Sequence, residues 1–203
     1  MNKDQIEKNR EKFDLIKNSL ETFGCKVFFK NYEITITSNN KNISKIILFL
    51  KDNPTTNFDI LIDLCAVDYP GRKKRFEIIY NFLSTTQNSR VRLKVNLSDE
   101  ESIDTISDIY PCANWYEREI FDLFGINFSN HPDLRRILTD YDFEGHPLRK
   151  DFPLTGFIQI RYDNEQKKIV NEPVKLDQEY RNFDNLSPWE GMNNELSSEK
   201  DGK

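Results

Sequence analysis

Apolar residues recur at helical spacing over residues 4–21, where Ile6, Phe13, Ile16 and Leu20 share a stripe and charges take the remaining positions. Gly24 follows as a C-terminal stop. Residues 26–37 change to a two-residue period, with Tyr32, Ile34 and Ile36 alternating against Glu33, Thr35 and Thr37, which predicts a strand. Helical spacing returns over 41–51 through Ile43, Ile46, Ile47 and Leu50, and Pro54 closes that element.

Three more strands follow. Residues 58–67 place Phe58, Ile60, Ile62 and Leu64 on one face, and Leu61, Cys65 and Val67 make the other face partly apolar, as in a strand covered on both sides. Residues 75–83 set Phe76, Ile78, Tyr80 and Phe82 inward, and 90–97 do the same with Val91, Leu93, Val95 and Leu97. Turn residues at Tyr69-Pro70-Gly71 and over 85–89 make an antiparallel meander the natural connection. The basic run at 72–75 falls in the first turn with no interleaved aromatics, so it reads as a solvated hairpin tip.

Ser98 with Glu101 three residues on is a capping box and predicts a helix through Ile103, Ile106 and Ile109, broken by Pro111. Asn114 then caps a helix with Glu117 at its third position and Gly125 at its end. The expected fold is therefore α+β over residues 1–125, a small and mostly antiparallel sheet packed with helices. An extended, largely irregular tail follows over 126–190, holding a hairpin of 157–162 with 168–170, and 191–203 is expected to be disordered.

Composition sharpens this division. Only 37% of the 203 residues are hydrophobic and 31% are charged, so the tail is too polar to fold without a partner. A net charge of −5 argues against nucleic-acid binding. Cys25, Cys65 and Cys112 are too far apart for a metal or cluster motif, and read as reduced, buried thiols. No apolar run approaches the ~18 residues of a membrane span, and the N-terminal stretch lacks an apolar signal region, so a soluble or peripheral protein is expected.

The chemistry concentrates in residues 112–153. Glycine-rich phosphate loops and nucleophile elbows are absent from the sequence. His131 and His146 could join carboxylates in a metal or enzyme site, but each precedes a proline and packing roles are favoured. Glu117 and Glu119 point in different directions on a helix and cannot share a substrate atom. Asp122 opposes the helix dipole in the last turn, which implies a pairing group from outside the helix. Arg135, Arg136, Arg149 and Lys150 alternate with acids and with Leu134, Leu138, Tyr141 and Phe152, the mixture found at buried interface centres.

Glu117-Arg118-Glu119, two residues, Asp122-Leu123-Phe124, six residues, His131, three residues and Arg135-Arg136-Ile137-Leu138 resemble the signature of one respiratory complex I subunit, the thirty-kilodalton class. Residues 144–154, Arg161-Tyr162, Glu172-Pro173, residues 178–183 and Ser187-Pro188-Trp189-Glu190 extend the match. The resemblance implies a non-catalytic subunit of the peripheral arm of NADH:ubiquinone oxidoreductase. Such a subunit holds no cofactor, while FMN and iron–sulfur clusters sit in neighbouring subunits. Its main partner is expected to be the large quinone-site subunit of the forty-nine-kilodalton type, and the interface is expected to use Glu117, Arg118, Asp122, His131, Arg135 and Arg136. His146, Arg149, Lys150, Phe152, Arg181, Phe183 and Trp189 complete that expected interface. A mitochondrial, matrix-facing position is the expected localisation, with the cytoplasmic face of a bacterial inner membrane as the alternative. Related ferredoxin-dependent or hydrogenase complexes share this subunit type. Asp142 stands where the family commonly has glycine, which puts the local turn in question.

Overall fold

A computed structural model describes residues 3–20, 23–30 and 33–176 of the chain. The side chains of residues 3–9 and 11 fall outside that description, and with them Ile6; so do Tyr32, Arg181, Phe183, Trp189 and the stretch 191–203. The fold is α+β, as the hydrophobic pattern predicts. The chain divides into two compact units, residues 1–154 and a second beginning at Thr155.

The first unit is built on a five-stranded sheet. Its strands are β1 (Lys26–Lys30), β2 (Glu33–Ser38), β3 (Ile60–Asp68), β4 (Phe76–Ser84) and β5 (Ser89–Leu97), in the spatial order β1-β2-β5-β4-β3. The β3-β4-β5 meander is antiparallel, and only the β2–β5 pairing is parallel. That parallel contact requires a crossover, supplied by α2 (Ile43–Asp52). Helix α1 (Lys3–Leu20) buries Ile16 and Leu20, and α2 buries Ile43, Ile46, Ile47 and Leu50. Phe76, Ile78, Tyr80, Phe82, Val91, Leu93, Val95 and Leu97 complete one core. Each buried ring or branched side chain there contributes roughly 1.5–3 kcal/mol relative to exposure.

Four local expectations need correction. Residues 26–37 are a hairpin, with Lys26 opposite Thr37, because a two-residue alternation continues in phase through a tight reversal. In β3 a bulge between Leu61 and Asp63 changes the facing, so Leu61 and Leu64 are buried while Ile60 and Ile62 are exposed. No helix forms after Ser98. The Ser98 amide does donate to Glu101 Oε2, but Ile103–Asp104 becomes strand β6 and pairs in parallel with β7 (Phe128–Ser129). The amides of Ile103 and Thr105 donate to the carbonyls of Asn127 and Ser129, a partner that only the folded chain brings near. Helix α3 (Ala113–Phe124) has Cys112 at its cap, and Asn114 makes no capping bond.

The boundary expected at Gly125 falls elsewhere. Ile126 and Phe128 are core residues, and residues 130–151 return to α3 and to the β3–β4 turn. In the second unit, β8 (Ile158–Asp163) and β9 (Lys168–Pro173) form the expected antiparallel hairpin.

Candidate functional site

Helix α3 organises the charged stretch. The last four carbonyls of any helix lack intrahelical partners. Here Phe121 O accepts from the Gly125 amide at 2.9 Å and Leu123 O from the Leu148 amide at 3.1 Å. Asp122 O accepts from His146 Nδ1 at 2.8 Å, and Phe124 O from Arg149 Nε at 2.6 Å. Residues 146–149 are thus a C-terminal cap supplied from more than twenty residues away. The cap explains Gly125, which adopts φ +73°. A Cβ there would lie 2.5 Å from His146 Nε2 and 2.8 Å from Arg149 Nη2.

Asp122 is fully buried and holds the following loop. Its Oδ2 accepts the amides of Ile137, Leu138 and Thr139 at 3.1, 2.7 and 2.9 Å. Its Oδ1 accepts the Thr139 hydroxyl at 2.5 Å and Arg136 Nη1 at 3.0 Å. These donors outweigh desolvation and lower its pKa to about 2. The outside partner demanded by its position is therefore Arg136 of the same chain. Arg118 donates to the carbonyls of Arg135 and Arg136 at 3.1 and 3.2 Å, fastening that loop a second time.

Glu117 also has no exposed surface but lies deeper and is differently surrounded. It accepts the Ile106 amide at 2.8 Å and bonds the Thr105 hydroxyl, which itself bonds Ser107. His131 Nε2 lies 3.7 Å from Glu117 Oε2. Burial is the main influence, and it raises the Glu117 pKa to about 7. Glu117 and Asp122 both have no exposed surface. In the chain by itself they shape the surface from beneath.

His131 and His146 serve opposite ends of α3, on the carbonyls of Asn114 and Asp122, so the structure does not bring them together. Among the described residues no group of three His, Cys, Asp or Glu side chains is arranged to hold a metal ion. Arg75 belongs to an ion network rather than to a solvated tip. It pairs with Asp68 at 2.7 and 2.8 Å and with Asp151 at 2.9 Å, while Arg149 pairs with Asp99 at 3.0 Å. The Lys150 amide adds a bond to Asp68 at 2.7 Å. The hairpin itself brings Asp68 to Arg75, while Asp151 comes from a distant part of the chain. Phe152 packs near Phe143, with ring centres 5.8 Å apart. Asp142 is not among the positive-φ residues, so its side chain creates no backbone strain at that turn.

Large apolar side chains also remain at the surface. Trp115 is 68% exposed, Leu138 62%, Tyr141 82% and Leu148 49%. Arg135 is exposed, pairs with Asp133 at 2.8 Å and interacts with Tyr141. On the hairpin of the second unit, Ile158, Ile160, Tyr162 and Ile169 share one face and are all more than half exposed. No described helix is long and apolar enough to cross a membrane.

Residues 36–158 match the family described as respiratory-chain NADH dehydrogenase, 30 Kd subunit. An NADH-quinone oxidoreductase subunit of Xanthobacter autotrophicus is 54% identical over 160 residues, which is 79% of this chain and 77% of that protein. Its counterpart in Rhodobacter capsulatus, of the same name, is 54% identical over 168 residues, 83% and 84% of the two chains. That of Mesorhizobium japonicum is 52% identical over 171 residues, 84% and 85%. All three relatives are bacterial and lend no support to a mitochondrial placement. A chain of the membrane-bound sulfane sulfur reductase, an archaeal respiratory membrane complex, has the same fold, with a TM-score of 0.62 at 24% identity over 79% of this chain and 99% of that one. The motif around α3, the match over residues 36–158 and relatives above 50% identity agree, and the chain belongs to the family of the 30 kDa subunit of respiratory-chain NADH dehydrogenase.

Proposed function

We propose that this chain is the 30 kDa-class component of an NADH-quinone oxidoreductase, serving assembly of its peripheral arm rather than the chemistry itself. Electrons pass from NADH to quinone, with proton translocation, through FMN and iron–sulfur clusters held by neighbouring subunits. This chain docks against the large quinone-site subunit, at the cytoplasmic face of a bacterial inner membrane or the matrix face of its mitochondrial counterpart. The names and identities of the bacterial relatives support the complex. The observation that carries the docking is the exposure of Trp115, Leu138, Tyr141 and Leu148 around a helix where Asp122, Arg136 and Arg149 are already bonded within the chain. Large side chains held out by an ordered backbone are favourable only when something covers them. The outward face of the hairpin, with Ile158, Ile160 and Tyr162, has the same character. Arg181, Phe183 and Trp189 are proposed as further anchors.

The test is co-purification of a tagged chain from membranes. Leu138→Asp with Tyr141→Asp is expected to lower recovery of the large subunit at least about tenfold, since two anchors at an interface centre commonly carry that much. The isolated variant should keep its near-ultraviolet circular dichroism. Undiminished recovery with both charges in place would remove this surface from the interface.

A further inference from the structure

Glu117 and His131 are side chains with no exposed surface, and among the described residues no lysine or arginine pairs with Glu117. Their neighbours leave a definite proton arrangement. His131 Nδ1 accepts the Asp133 amide at 3.1 Å, so Nε2 carries the ring proton and donates to Asn114 O at 3.2 Å. Glu117 receives only the Ile106 amide and the contact with Thr105. Other ionisable groups act on it from the surrounding elements. Asp108, in the turn after β6, adds like charge, and Tyr80 of β4 is a buried phenol without a hydrogen-bond partner among the described residues. Arg118, on the same helix, is directed to the carbonyls of Arg135 and Arg136.

We propose that Glu117 and His131 form a buried proton switch: the His131-Pro132-Asp133 turn is closed while Glu117 holds its proton and opens when that proton passes to water. A neutral carboxyl needs no further donor. A carboxylate in the same place has two donors and no counter-charge, which is unstable in an interior. The nearest further donor is His131 Nε2–H, 3.7 Å away. The ionised oxygen draws that N–H from Asn114 O, the ring turns, and Nδ1 leaves the Asp133 amide. Burial places this transition near neutrality, with Glu117 raised to about 7. The change is confined to the near end of the loop, because Asp122 clamps residues 137–139 independently.

The experiment uses the full chain alone, so its outcome is separate from that of the docking test. Amide hydrogen exchange at Asp133 is followed by NMR between about pH 5.5 and 8.5, corrected for the intrinsic rate. Protection should fall at least about tenfold through neutrality, the loss of one hydrogen bond, and Glu117→Gln should abolish the dependence. Constant protection in the natural chain, or an unchanged dependence in Glu117→Gln, overturns the proposal. Should that variant not fold, the Glu117 carboxyl carbon of the natural chain is titrated instead. A shared midpoint with the Asp133 amide supports the switch, and separate midpoints end it.

Discussion

Glu117 and Asp122 sit five residues apart on one helix, both without exposed surface, yet their pKa values move in opposite directions. Asp122 receives three amides, a hydroxyl and a guanidinium, and its pKa falls to about 2. Glu117 receives one amide and one hydroxyl contact, and its pKa rises to about 7. Neither carboxyl touches solvent, but Glu117 lies deeper, and burial is the main influence on it. The deeper burial of Glu117 and the larger set of donors on Asp122 together decide the outcome, and those donors come from segments 11 to 17 residues away in the chain.

The largest expected effect comes from removing the ionised member. Asp122→Ala leaves four loop donors and Arg136 unsatisfied, and should cost about 3–5 kcal/mol in denaturant unfolding. A loss below about 1 kcal/mol would show that the loop finds other acceptors.

The carboxyl with the raised pKa should behave in the opposite sense. An acid whose folded pKa is raised weakens the folded state as pH climbs from its unfolded value to its folded one. Glu117 therefore makes the chain less stable between about pH 4.5 and 7, and Glu117→Gln should gain about 2–3 kcal/mol at pH 8 while changing little at pH 4. Asp122 has a depressed pKa, so its contribution is full above about 3.8 and disappears as pH falls toward 2. Urea midpoints across this range read both limbs. A single acid limb, with no decline toward neutrality, would erase the contrast.

The smallest stability effect separates two arginines that look alike in sequence. Arg149 caps α3 and pairs with Asp99, so Arg149→Ala should cost about 1–3 kcal/mol before any partner is present. Arg135→Ala removes exposed contacts with Asp133 and Tyr141; melting of the isolated chain should not move, while assembly with the large subunit declines. Equal melting losses for both would mean that Arg135 has an internal role as well.

Much of the fold is legible in the residue order. The meander, the amphipathic faces of α1 and α2, the left-handed stop at Gly125 and the β8–β9 hairpin all follow from local periodicity or turn chemistry, which neighbouring residues carry. The segment after Ser98 misleads because a capping box and a run of isoleucines favour a helix locally. Pairing of Ile103–Asp104 with Phe128–Ser129 prevails instead. At the site, the spacing of His131 and His146 already favours packing over metal ligation, but Glu117 and Asp122 cannot be told apart from surface anchors. Nothing near them in the chain announces that Thr105, Ile106, Arg136 and Thr139 converge there.

The charged stretch from Cys112 to Pro153 shows where the two kinds of information divide. Residue order alone settled the α+β class, the helix with its glycine end and the family, since each depends on neighbours or on motif spacing. Tertiary structure decided which charges remain at the surface. A charge is withdrawn only when donors from distant segments meet it in a space without water, and that meeting exists only in the folded chain.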